Sequence, residues 1–131
     1  VVLARRLAEL RLARTAGTGL TVEHPWLDLD HAYAVQEAGV RLLVDGGDGQ
    51  IGFKLGLTSR AKQAQMGVGE PLYGERTDAM LLDVGEPLVV ADHIQPRVEP
   101  EIAFLLGADL AGERVGAAQV LAATAAVAPA V

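Results

Sequence analysis

The sequence has 131 residues, 50% hydrophobic and 21% charged, with a net charge of −6, which suits one globular domain or a piece of one. Its 11 Lys and Arg are scattered, which excludes a nucleic-acid backbone as partner because phosphate neutralisation needs clustered cations. Zero cysteines exclude a disulfide framework and a thiolate metal site, and no run approaches the ~20 apolar residues needed to span a bilayer.

The opening "VVLARRLAELRLAR" carries arginines at helical spacing and no cleavable signal pattern, so a soluble, cytoplasmic protein is expected. Leu3, Leu7 and Leu10 form the apolar stripe of an amphipathic helix that Gly17 can stop. After a loop, Asp28 or Asp30 can cap a second helix, "HAYAVQEAGVRLLVD", which "GGDG" ends. At Ile51 the apolar period changes to two: Ile51, Phe53, Leu55 and Leu57 alternate with Gly52, Lys54, Gly56 and Thr58, the pattern of a strand.

Ser59 then caps a short helix, "RAKQAQM", which Gly67 stops. "GEPLYGE" reads as a turn, "AMLLDV" and "PLVV" as strands around the Gly85 to Pro87 turn, and "EIAFLL" as a further strand. "GAAQVLAATAAVAP" reads as an Ala-rich helix closed by Pro129. The expected fold class is α+β, with helices flanking a β-rich middle: a helical part over residues 1–48 and the first part of a β-rich catalytic domain over 49–131. The chain lacks an initiating methionine and stops on an apolar residue, so its C-terminal portion is expected to be absent.

Two features could carry chemistry. Residues i and i+2 of a strand project from one face, so Glu99 and Glu101 can converge on a divalent cation, and Mg²⁺ and Mn²⁺ prefer carboxylate oxygen. The same spacing also suits a solvated strand face with Ile102, Phe104 and Leu106 turned inward, and on spacing alone that is the commoner case. Lys54 shares its strand face with Gly52, Gly56 and Thr58, which leaves room beside its ammonium for a ligand, although lysine also guards exposed strand edges. His24, His31 and His93 show no metal-ligand spacing, and Trp26, Tyr33 and Tyr73 are too dispersed for base stacking.

Three blocks in order, "GFKLGLTSRAKQAQMGV", "EPLYGERTDAM" and "QPRVEPEIAFLLG", resemble the 2-oxopent-4-enoate hydratase and 4-oxalocrotonate decarboxylase family of aromatic meta-cleavage pathways. "HPWLDLDHAYAVQ" and "VLAATAAVAPA" extend the resemblance across essentially the whole chain. It implies a fold related to fumarylacetoacetate hydrolase and a Mg²⁺ or Mn²⁺ ion held by Glu99, Glu101 and a third glutamate beyond Val131. It also implies that Lys54 is the active-site lysine, beside the substrate and facing the same cavity as the two glutamates. Where the hydratase branch has an aspartate in a pattern like P-D-F-G, this chain has Leu72, a substrate-side residue that resembles the decarboxylase branch. The resemblance therefore implies decarboxylation of 2-oxo-3-hexenedioate to 2-hydroxypenta-2,4-dienoate, with hydration of the dienoate or a non-catalytic partner module as alternatives. The partners implied are a small 2-oxo acid, further copies of the chain and a partner hydratase.

Overall fold

A computed structural model describes residues 1–131, which divide into two compact units, Val1–Ile94 and Gln95–Val131. The change from helical to strand-like sequence near residue 48 is thus a change of secondary structure inside the first unit. No helix is long and apolar enough to cross a membrane.

In the first unit, α1 spans Val2–Leu12, the single turn α2 spans Leu20–Glu23 and α3 spans Leu29–Asp45. Helix α1 ends at Ala13, before the glycine expected to stop it, because Arg14 turns to a positive φ of 52°. Arg6 on α1 forms a two-pronged ion pair with Glu23, which fixes α2, a turn that the sequence reading passed over as loop. Asp28, and not Asp30, caps α3: its carboxylate accepts from the His31 N–H at 2.9 Å. That N–H is the main reason the Asp28 carboxyl lies below its ordinary pKa.

Strand β1, Gln50–Gly56, pairs antiparallel with β2, Leu72–Thr77, and α4, Arg60–Met66, fills the connection. Helix α4 is bounded as its sequence dictates, by a Ser59 cap on the Lys62 N–H and by Gly67 at φ 69°. The segment read as a turn, "GEPLYGE", instead supplies most of β2. Its glycine and proline mark the entry to the strand and a close approach within it, and pairing with β1 outweighs local turn chemistry. The strands expected at "AMLLDV" and "PLVV" do not form. Asp78–Met80 and Val90–Asp92 are single 3-10 turns, joined through a turn at Asp83–Glu86 in which the Glu86 N–H donates to the Asp83 carbonyl at 3.0 Å.

Asp48 ties the two ends of the β1–β2 hairpin together. Its Oδ1 accepts from the Gly49 and Ala79 N–H groups, each at 3.0 Å, and the Thr77 hydroxyl lies against it without closing a hydrogen bond of normal geometry. Thr77 is fully buried. A Cβ on Gly49 would stand 2.2 Å from Asp78 Oδ2, so a larger residue there would have to displace the Asp78 carboxylate.

In the second unit, β3, Glu101–Leu106, pairs antiparallel with β4, Thr124–Ala130, and α5 spans Ala117–Ala123. The long Ala-rich helix expected here is therefore half helix and half strand. Alanine favours helix only weakly, and from Thr124 onward the ladder to β3 overrides that preference. The Gly107 N–H donates to the Ala123 carbonyl at 2.8 Å and fixes the point of conversion. The α+β class stands, and the strands form two separate two-stranded sheets.

Asp48 gives this scaffold a pH dependence. The adjacent Thr77 hydroxyl is the first cause, with backbone N–H groups, holding its carboxyl below the ordinary aspartate value. A lowered folded-state pKa contributes stability that is present above the unfolded pKa and is lost as pH falls through the folded one. Urea midpoints should therefore drop in acid below about pH 4, and Asp48→Asn should flatten that acid limb while lowering the midpoint at pH 7.

Candidate active site

The β1–β2 register sorts the hairpin's side chains onto two unlike faces. Gly52 opposes Arg76, Lys54 opposes Gly74, and Gly56 opposes Leu72, and directly opposed residues project to the same side. One face therefore carries three glycines and only three long side chains, Lys54, Leu72 and Arg76, all half-buried. The other face carries Phe53, Leu55, Tyr73 and Glu75.

A cavity of about 190 Å³ opens on the glycine-bearing face, lined by Lys54, Gly56, Leu72, Tyr73, Gly74 and Arg76. Its floor is backbone, because a Cβ on Gly56 would meet nothing within 4 Å and one on Gly74 would meet only Gln36 Oε1, at 3.6 Å. Its lining surface is almost wholly apolar, so Lys54 and Arg76 contribute mainly their aliphatic stems to it. A larger hollow of about 470 Å³ lies on the opposite face, where Asp30, Glu37 and Glu75 surround Tyr33, Phe53 and Tyr73. That hollow has the wrong sign of charge for an anionic acid.

The aromatic cluster serves position. Tyr33 of α3 stacks on Tyr73 with centroids 4.3 Å apart, Phe53 meets Tyr73 edge-on at 6.0 Å, and the Tyr33 hydroxyl accepts from the Tyr73 N–H at 3.3 Å. These contacts moor α3 to β2, so the Lys54 face is backed by a helix as well as by its own ladder.

In the second unit, Glu101 opens β3 opposite Ala130 and is half-buried, whereas Glu99 precedes the ladder and is exposed. Pro100 restricts Glu99 to extended backbone and cannot donate to a ladder, which explains why the strand starts only at Glu101. Glu99 is solvated, as a solvated strand face requires, but the apolar residues of β3 are not turned inward. Ile102, Phe104 and Leu106 are 67%, 50% and 51% exposed, and the more covered residues of β3 are Glu101 and Ala103. Both glutamates have interaction partners in the chain.

The donor set at Glu99 and Glu101 suits a hard divalent ion, which takes carboxylate oxygen and fills its remaining positions with other ligands or water. No group of three or more His, Asp or Glu side chains is gathered for a metal anywhere in the chain. Lys54 and Leu72 do share one cavity, in the first unit, while Glu99 and Glu101 belong to the second.

The sequence reading missed Arg76 and Gly74. Both lie in β2, and once that segment is a turn no face relation to Lys54 can be drawn. The signal was the alternation within "LYGERT", where Leu72, Gly74 and Arg76 share one parity.

Filling the cavity floor separates its role from that of the scaffold. Gly56→Val should leave stability within about 1 kcal/mol, since no atom opposes the new side chain, yet it should abolish binding of small carboxylates at Lys54. Unchanged carboxylate binding by calorimetry would place the ligand elsewhere.

No family model matches the chain. Over 95% of its length it is 44% identical to a 4-oxalocrotonate decarboxylase of Pseudomonas sp, of which it covers 50%. Over 97% of its length it is 38% identical to a 2-hydroxypent-2,4-dienoate hydratase of Pseudomonas putida, of which it covers 58%. The solved 4-oxalocrotonate decarboxylase from Pseudomonas putida G7, complexed with magnesium and adipate, matches 98% of the chain at a TM-score of 0.92 and 33% identity. The same enzyme complexed with calcium and acetate matches 96% at a TM-score of 0.91. In both comparisons this chain covers 49% of the solved one. The chain is therefore a homologue of the 4-oxalocrotonate decarboxylases and 2-keto-4-pentenoate hydratases, spanning about half the length of the relatives it matches.

Proposed function

We propose that the chain forms part of a divalent-metal-dependent lyase that decarboxylates 2-oxo-3-hexenedioate to 2-hydroxypenta-2,4-dienoate. The observation that carries the reading is Leu72 on the Lys54 face; identity alone does not separate the branches, since a decarboxylase and two hydratases of Dechloromonas aromatica are each 44% identical to the chain. In this reading the fold is of the fumarylacetoacetate hydrolase type, and residues 49–131 are the first part of its catalytic domain. A cytoplasmic, oligomeric enzyme of aromatic catabolism, associated with a partner hydratase, completes the proposal.

The substrate is a vinylogous β-keto acid. Breaking the C5–C6 bond releases CO₂, and its electron pair moves through C4 and C3 to the oxygen on C2, leaving a dienolate that takes up one proton. Glu99, Glu101 and a further ligand would hold Mg²⁺ or Mn²⁺, which would supply a Lewis acid for the C2 oxygen. The solved relatives hold magnesium or calcium, which supports a divalent ion. Lys54 binds the anionic substrate and places a fixed positive charge near the developing dienolate, a charge already oriented before the reaction begins. Leu72 supplies no proton and holds no water. Hydration of an alkene needs a group that does both, so an apolar side chain at this position favours loss of CO₂ over addition of water.

The second reading is hydration. Relatives named as hydratases, among them a 2-keto-4-pentenoate hydratase of Paraburkholderia phymatum at 37% identity, match the chain about as well.

Intact protein given 2-oxo-3-hexenedioate and Mg²⁺ should release CO₂ and accumulate 2-hydroxypenta-2,4-dienoate, which ultraviolet absorbance follows. Lys54→Met should lower kcat by at least a hundredfold without unfolding the protein, as expected for loss of one preorganised charge. Hydration of the dienoate with no CO₂ would assign the chain to the other branch, and near-normal turnover of the variant would remove Lys54 from the mechanism.

A further inference from the structure

Strand β1 leaves the Lys54 face through a residue in a costly conformation. The alternation that runs through Ile51, Phe53 and Leu55 would carry Leu57 onward as extended backbone, but Leu57 turns to a positive φ of 53°. That left-handed region suits glycine, and a leucine is strained there and stays only where its surroundings hold it. Leu57 follows Gly56 directly, and Gly56 pairs with Leu72 at the end of the cavity that both residues line. The conformation of Leu57 therefore decides where the chain goes as it leaves the cavity.

A side chain of α4 holds it. Gln63 Nε2 donates to the Leu57 carbonyl at 2.8 Å in a half-buried setting. The backbone of the same residue is tied as well. The Val68 N–H donates to the Gln63 carbonyl at 3.0 Å and the Gly67 N–H to that of Ala64 at 3.3 Å, the paired closure of a helix that ends in a left-handed glycine. Gln63 thus joins the residue that leaves β1 to the residue that begins the return to β2. Hydrophobic packing does not fix α4. Every one of its residues except Gln63 is exposed, Met66 to 62%, and the helix lies in extended contact with no other helix or strand. At seven residues it is also too short to be stable alone, so its place depends on its ends and on Gln63.

We infer that Gln63 is a positioning residue for the Lys54 face: by holding Leu57 left-handed it fixes the exit of β1 and keeps the α4 crossover at the Gly56 and Leu72 end of the cavity. The inference deepens the proposed function and rests on its choice of this face as the substrate side. Gln63 acts through the Leu57 carbonyl and takes no part in bond breaking or proton transfer. Loss of its donor lets Leu57 relax to ordinary backbone geometry, which moves the crossover and misplaces the wall at Leu72. The groups that take part in the chemistry are not altered, so binding suffers and the rate of the bound complex does not.

Gln63→Glu tests this on the intact protein with Mg²⁺, because glutamate keeps the length of the side chain and sets an acceptor against the Leu57 carbonyl. The Cα and Cβ chemical shifts of Leu57 report its conformation, and titration with adipate reports the site. The wild-type protein should show left-handed shifts at Leu57. Gln63→Glu should abolish them and weaken adipate binding by about tenfold or more, the scale of a small misplacement in a binding site. KM for 2-oxo-3-hexenedioate should rise by the same factor with kcat nearly unchanged. Leu57→Gly supplies a residue that adopts the left-handed region without help, so adding it to Gln63→Glu should regain most of the lost affinity. A merely structural hydrogen bond would lower the melting temperature and leave adipate affinity and KM unmoved. Extended shifts at Leu57 in the wild-type protein, wild-type affinity in Gln63→Glu, a fall in kcat at unchanged KM, no rescue by Leu57→Gly, or no adipate binding by the wild-type protein would each overturn the inference. Gln63-dependent adipate binding without CO₂ release would keep the positioning role and reject the decarboxylase reading, whereas CO₂ release with adipate binding indifferent to Gln63 would do the reverse.

Discussion

The antiparallel register of β1 on β2 is the constraint on which the candidate site depends. With Lys54 opposite Gly74, every second residue on both strands of the cavity face is either glycine or one of Lys54, Leu72 and Arg76. A slip of β1 by one residue would send Lys54 to the Tyr73 side of the hairpin and turn Phe53 onto the Gly74 side. The register is held at both ends. Tyr33 stacks on Tyr73 at the start of β2, and at its end Asp48 accepts from the Ala79 N–H while the Asp78 N–H donates to the Gly49 carbonyl at 2.8 Å. Helix α3 delivers both Tyr33 and, just past its C-terminus, Asp48, so the amphipathic helix serves chiefly as the part that sets the hairpin.

Where local chemistry decides structure, the sequence is legible. Asp28, Ser59 and Gly67 set helix ends through groups within three residues of the boundary, and the alternation from Ile51 to Thr58 announces β1. Where a distant partner decides, it is not. Strand β2 looks like a turn until β1 lies beside it, and the segment from Thr124 looks helical until β3 does. The site was legible to the same degree. Lys54 and Leu72 stand out by their neighbours and by family resemblance, while Arg76 becomes visible only through the pairing.

The second unit shows a related tension between sequence and environment. Strand β3 turns Ile102, Phe104 and Leu106 to solvent and covers Glu101 in part, and β4 exposes Val127 to 58%. Ala123 is the only buried hydrophobic residue of this unit. Each kilocalorie of apolar burial that such a hairpin forgoes must come from other contacts, since an isolated two-stranded hairpin is marginal in water.

In the proposed mechanism the glycine-floored face of β1–β2 binds the anionic substrate. Amide nitrogen–proton NMR spectra of the labelled protein, recorded while adipate is added, test it most directly. The largest shifts should fall on Gly52, Lys54 and Gly56 and on Leu72, Gly74 and Arg76, with smaller changes on the aromatic face. Shifts concentrated around Asp30, Glu37 and Phe53 instead, with the glycine face unmoved, would contradict it.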